Sequence, residues 1–155
     1  MARYVVDLQK ASASTTASLG VINAEATGSL TRFKVYDLMF GSEATPADAA
    51  ILWTVTRFTV AGTTTAVTPI KLDPQDRSAG TEAGENATIE PTYTTGPPVE
   101  NLLNIPLNQR ATFRWVAAPG GELVGPATDE NGMGIQTDTI STGTPAITAT
   151  VHFEE

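Results

Sequence analysis

The chain reads as an all-β protein: an antiparallel β-sandwich of jelly-roll type, with eight to ten short strands and an extended N-terminal arm. Three observations predict it. Threonine supplies 25 of the 155 residues, a usage suited to pleated, half-buried surfaces. Apolar and polar residues alternate over one short stretch after another, with turn signals between them at sandwich spacing. No stretch carries the apolar period of a helix of ordinary length. An immunoglobulin-like sandwich is the second choice. A length of 155 residues fits one domain that buries an ordinary core without disulfides or metal. Residues 1–29 read as the arm with an edge strand, and residues 30–155 as the sandwich.

The arm begins with Tyr4, Val6 and Leu8 on alternate positions and changes at about Lys10 into a run of alanine, serine and threonine. Small residues pack closely against another backbone but build no core alone, so the arm is expected on its own sheet edge or on a neighbouring subunit. Residues 31–40 form the first long strand. Phe33 and Val35 share one parity and Tyr36, Leu38 and Phe40 the other, so the apolar phase switches near Asp37, which predicts a bulge or a change of sheet. Thr45-Pro46-Ala47-Asp48 predicts a single helical turn with Thr45 as cap and Pro46 in first position. Residues 51–60 form a strand with Ile51, Trp53 and Val55 on one face, and Gly62-Thr63-Thr64 turns it into a partner over residues 66–72.

Residues 73–98 read as irregular, rich in proline, glycine and acids, with a short strand over residues 87–93 dividing them. A connection of that length in a compact domain is usually functional, or ordered by a partner. Leu103, Ile105 and Leu107 mark an apolar face, and Pro106 argues for an edge position or an early strand end. Thr112-Phe113-Arg114-Trp115-Val116 is the cleanest alternation, with both aromatics on one side and Arg114 on the other. Turns at Pro119-Gly120-Gly121 and Asp129-Glu130-Asn131-Gly132 suggest a meander into residues 133–139. The last strand puts Ile147, Ala149, Val151 and Phe153 inward and Thr148, Thr150 and His152 outward.

Charge and composition narrow the function. A net charge of −8 with no cluster of lysine and arginine argues against nucleic acid. No apolar run reaches the roughly 18 residues of a membrane span, and none of signal-peptide length follows the start. The expectation is a chain made and kept soluble in a cytoplasm, with no membrane partner. With no cysteine and one histidine, His152, nucleophilic chemistry has little to work with; no serine sits in a Gly-x-Ser-x-Gly elbow. The carboxylate pairs Glu82 with Glu85 and Asp129 with Glu130 sit among glycines and prolines, as solvating acids do, without an aromatic platform for a sugar. Asp129-Glu130-Asn131-Gly132 lacks the helix-loop-helix calcium spacing. The sequence therefore predicts no enzyme, cofactor or metal site.

The arginines are more informative. In an acidic chain with nine basic residues, Arg32, Arg57, Arg110 and Arg114 on strand faces suit pairing with carboxylates across an interface, where the planar fork matters. Arg57, Arg110 and Arg114, together with Asp76, Arg77, Glu82 and Glu85 of the acidic segment, are the candidate interface residues.

The stretch Asn108-Gln109-Arg110-Ala111-Thr112-Phe113-Arg114-Trp115-Val116-Ala117-Ala118-Pro119-Gly120-Gly121-Glu122-Leu123 resembles small structural proteins encoded beside capsid genes in environmental tailed bacteriophages. Val35-Tyr36-Asp37-Leu38-Met39-Phe40-Gly41-Ser42, then Pro46-Ala47-Asp48-Ala49-Ala50-Ile51-Leu52-Trp53, and the ending Thr148-Ala149-Thr150-Val151-His152-Phe153 look like the same group. The resemblance implies a decoration or cement protein: a jelly roll that trimerises on the capsid surface of the virion and clamps adjacent major capsid subunits. A tail, fibre or minor capsid component is the nearest alternative, and a carbohydrate-binding sandwich for host adhesion the alternative of another class.

Overall fold

The computed structural model describes residues 1–13, 18–24, 30–94 and 101–155. Within them lie thirteen strands and no helix. They are β1 (Arg3–Lys10), β2 (Ser18–Ala24), β3 (Phe33–Glu43), β4 (Ala50–Val60), β5 (Thr63–Val67), β6 (Ile70–Lys71), β7 (Thr81–Ile89), β8 (Thr92–Tyr93), β9 (Asn101–Asn108), β10 (Phe113–Val116), β11 (Leu123–Gly125), β12 (Gly132–Ile140) and β13 (Ala146–Glu154). The first sheet runs β10-β3-β13-β1-β6, with β11 also on β3; the second runs β5-β7-β2-β12-β4-β8, with β9 also on β4. Every pairing is antiparallel.

The core lies between the two inner faces. β1 contributes Tyr4, Val6 and Leu8, β3 contributes Phe33, Val35, Leu38 and Phe40, and β13 contributes Ile147, Ala149, Val151 and Phe153. The second sheet answers with Leu19, Ile22, Ile51, Trp53, Val55, Met133 and Ile135. Tyr4 stacks on Phe153 at 5.3 Å, and Trp53 sits against Phe40 at 4.7 Å. Fully burying one such side chain is worth ~1.5–3 kcal/mol, against ~0–1 kcal/mol for an exposed ion pair, so the interior rather than the charged surface holds the sandwich together.

Several expectations hold. The last strand alternates as read, with Ile147, Ala149, Val151 and Phe153 buried. The register shift between His152 and Phe153 falls opposite Tyr36, the bulge announced by the phase switch at Asp37. β9, with Pro106, pairs only with β4 and forms an edge.

Others are corrected. Residues 1–29 do not supply a separate arm: β1 lies in the first sheet on β13, with β6 beyond it pairing only at Tyr4 and Val5, and β2 lies inside the second sheet between β7 and β12. The alternation of Tyr4, Val6 and Leu8 is that of a strand with one face in the core, while residues 14–17 and 25–29 lie outside the described residues. The turn at residues 45–48 is not helical. Ala44 and Thr45 adopt left-handed φ of 41° and 50°, which denies Thr45 the extended backbone of a helix cap. The strand expected over residues 87–93 starts earlier and is longer: Thr81–Ile89 is a nine-residue strand between β5 and β2, and only Thr92–Tyr93 pairs beyond it, so less of residues 73–94 is irregular than expected. The buried positions of Thr81–Ile89 are Thr, Ala and Gly, too small to announce a strand; residues 95–98 lie outside the described residues.

Connections differ too. Gly62, at φ 74°, turns the chain after β4, yet β5 pairs with β7 and not with β4. A Cβ at Gly62 would lie 2.3 Å from the Ile89 carbonyl, so glycine is required where the two segments cross. β10 and β11 both pair with β3 while β12 belongs to the other sheet, so residues 113–139 are no meander. Phe113 and Trp115 share the inward parity but are only half-buried, because β10 is an edge.

Candidate interaction surface

The outer face of the first sheet is set by the register of its strands. One rung runs Val116, Asp37, His152, Val5, Ile70 across β10, β3, β13, β1 and β6. The next runs Arg114, Met39, Thr150, Asp7. Strand alternation turns these side chains away from the core, since Leu38, Phe40, Val151, Val6 and Leu8 between them are buried. Val116 is 58% exposed, Ile70 61% and Met39 42%, so apolar side chains stand at both ends and in the middle of a polar sheet face.

Arg114 and Asp37 form the electrostatic centre of that face. Nε of Arg114 donates to Oδ1 at 3.0 Å and its Nη2 to Oδ2 at 2.5 Å, the two-pronged geometry that a guanidinium offers a carboxylate. Asp37 is buried and Arg114 is not. The hydrogen bonds from Arg114 hold the Asp37 carboxyl below the ordinary carboxylate range, against a desolvation that acts the other way; the charge of Arg114 and the nearby His152 add to the lowering. His152 Nδ1 lies 4.0 Å from the same carboxylate, outward on β13 as its parity predicts. Thr150 donates to Asp7 at 2.6 Å. At the corner, Arg3 lies 5.7 Å from the Tyr36 ring centre and 3.8 Å from Glu154, which also meets Lys34 at 3.8 Å.

The candidate residues read from the sequence do not converge. Arg114 lies on this face, but its partner is Asp37 of its own chain. Arg110 reaches Asp48 at 4.0 Å, beside the turn at residues 45–48. Arg77 pairs with Glu155 at 3.2 Å, and Asp76 accepts from the Arg3 amide at 3.4 Å, so both help fix the loop ahead of β7 to β1 and to Glu155. Glu82 accepts from Asn23 at 3.4 Å and Glu85 from the Gln9 amide at 2.7 Å; three apart on one strand, they face opposite ways and are no catalytic pair. Arg57 sits apart, at a pocket with Arg32.

Sequence reasoning missed two features. Asp37 was legible only as a phase switch; an acid and an arginine both on outward parity were the available signal for the pair. Ser18, Glu90 and Tyr93 gave none, because residues 18 and 90 meet only in the fold. The Glu90 carboxylate accepts from both the amide and the hydroxyl of Ser18, at 3.0 and 2.7 Å, and the Ser18 hydroxyl also bonds the Tyr93 hydroxyl. Tyr93 packs edge-on against Phe58 and lies over Gly134, where a Cβ would come within 2.2 Å of its hydroxyl. Burial pushes the Tyr93 phenol well up. The network is closed and pins residues 90–93 across the outer face of the second sheet.

Among the described residues no group of three or more His, Asp or Glu is arranged to hold a metal ion. No described helix is long and apolar enough to cross a membrane. No family model, no curated protein and no solved structure matches the chain.

Proposed function

We propose that the chain is a structural protein of a tailed-phage virion: a decoration or cement protein that trimerises on the capsid surface and bridges major capsid subunits, with no catalytic role. The observation that carries this reading is the outer face of the first sheet, where Met39 and Val116 stand exposed beside a bonded Arg114–Asp37 pair and Ile70 stands exposed at the far end. A broad sheet face with exposed apolar side chains and its central Arg114–Asp37 pair already bonded suits another protein surface. It suits a small ligand poorly. Sugars favour aromatic platforms, and the three pockets of about 330–340 Å³ carry no Phe, Tyr or Trp.

Strand order supports a jelly roll. Taken in chain order, β1, β2, β3, β4, β9, β10, β12 and β13 fall into a sheet β1-β13-β3-β10 and a sheet β2-β12-β4-β9, the arrangement of two Greek keys wound together. β5 to β8 are then an insertion between the fourth and fifth strands. Pairing of β1 with β13 over eight registered residues ties the two ends of the described chain into one sheet, which suits a rigid clamp on an expanded shell.

Purified chain incubated with empty heads of a phage that encodes it, then sedimented, tests the reading. Saturable co-sedimentation, together with a trimer mass by light scattering, is expected. Failure to bind heads, with binding to host glycans in its place, would move the chain to the adhesion class.

A further inference from the structure

The cations of this chain are six arginines and three lysines, against 17 acids. Four arginines have an acidic partner: Arg3 with Glu154, Arg77 with Glu155, Arg110 with Asp48 and Arg114 with Asp37. Arg32 and Arg57 have none among the described residues, although acids outnumber bases nearly two to one. Both line the same open pocket of about 330 Å³, completed by Val124, Pro126 and Ala127. Neither Asp129 nor Glu130, in the turn that follows Ala127, forms an ion pair with either of them among the described residues.

The two side chains reach the pocket from different sheets. Arg57 lies on β4 of the second sheet and continues the parity of Trp53 and Val55, at the end of the strand where the core gives out. Arg32 immediately precedes β3, and Val124 belongs to β11, both in the first sheet. Two guanidiniums brought to one pocket without a counter-ion repel each other, and an oxyanion between them relieves that repulsion while accepting the donors of both forks. The wall of Val124, Pro126 and Ala127 adds no competing charge.

We infer that the Arg32–Arg57 pocket is an oxyanion site that takes a carboxylate or phosphate group, borne either by a small free anion or by an acidic side chain of a second copy of this chain. This inference stands apart from the virion reading, since it needs only the pocket.

The test follows the arginine Nε–Hε signals of the intact protein by NMR while inorganic phosphate or acetate is added. Saturable shifts at Arg32 and Arg57, with Arg110 still, are expected below about 10 mM, the range of a weak single site. Arg57→Ala should weaken binding about tenfold or more, and Arg57→Lys, which keeps charge but loses the fork, less. Arg32→Ala, at an exposed position ahead of β3, provides a second variant should Arg57→Ala disturb the fold. A concentration-dependent self-association that phosphate and the double substitution both abolish would identify the oxyanion as a carboxylate of another copy. Linear, non-saturating shifts in both titrations, with no such association, would overturn the assignment.

Discussion

The carboxylate of Asp37 is buried on the outer face of the first sheet and held at both oxygens by the exposed guanidinium of Arg114, which reaches over from the edge strand β10. An acid in the middle of β3 is thereby neutralised in place, and the apolar side chains around it are left free for contact.

The pair makes stability depend on pH with a definite sign. Because the folded Asp37 carboxyl titrates below its unfolded value near ~3.9, its contribution is present above that value and is lost as pH falls through the lowered folded one. Urea midpoints of the wild type and Arg114→Ala, compared from pH 7 down to pH 2.5, should differ most at pH 7 and converge at the acid end. A constant difference across that range would mean that the pair is not the source.

The two tryptophans should behave differently. Trp53 is 2% exposed and packed on Phe40, so Trp53→Ala should cost about 3–5 kcal/mol in equilibrium unfolding. Trp115 shares the inward parity but sits half-buried on an edge strand, so Trp115→Ala should cost roughly half as much, since less apolar area leaves water there. Equal losses would show that β10 is packed as tightly as the interior.

How far the sequence was legible follows from side-chain size. Large residues on a period of two, as in Phe33–Phe40, Ile51–Val55 and Ile147–Phe153, gave strands, faces and even the bulge at Asp37. Strands made of small residues were blurred: β7 carries Thr81, Ala83 and Ala87 inward and was legible only as a short strand over residues 87–93, and β2 was hidden in a stretch read as an arm. Pairing partners were less legible than strands, because a turn such as Gly62 states that the chain reverses and not which strand it joins. The Arg114–Asp37 pair joins residues 77 apart in sequence, a distance that alternation within single strands cannot bridge.

Placement of β1 in the sheet gives a direct consequence. Deleting residues 1–10 removes a strand that pairs with β13 over eight residues and buries Tyr4, Val6 and Leu8. Circular dichroism and amide dispersion should report an unfolded or aggregated chain, not a folded protein that has merely lost an assembly contact. A well-folded monomer would restore the arm.

Gly134 is required by the ring of Tyr93 lying on it. Gly134→Ala should destabilise by about 1–3 kcal/mol through overpacking, and Tyr93→Leu in the same chain should recover part of that loss by opening the space. Failure of the second substitution to compensate would place the strain elsewhere on β12.

The most direct test of the proposed role is occupancy of empty phage heads by the double variant Met39→Glu, Val116→Glu. Both side chains are exposed, so the fold should survive the change. Apparent affinity for heads should fall about tenfold or more, because two charges replace apolar contacts on either side of the Arg114–Asp37 pair. Unchanged occupancy with an intact fold would contradict the assignment of the outer face of the first sheet as the surface that meets the capsid.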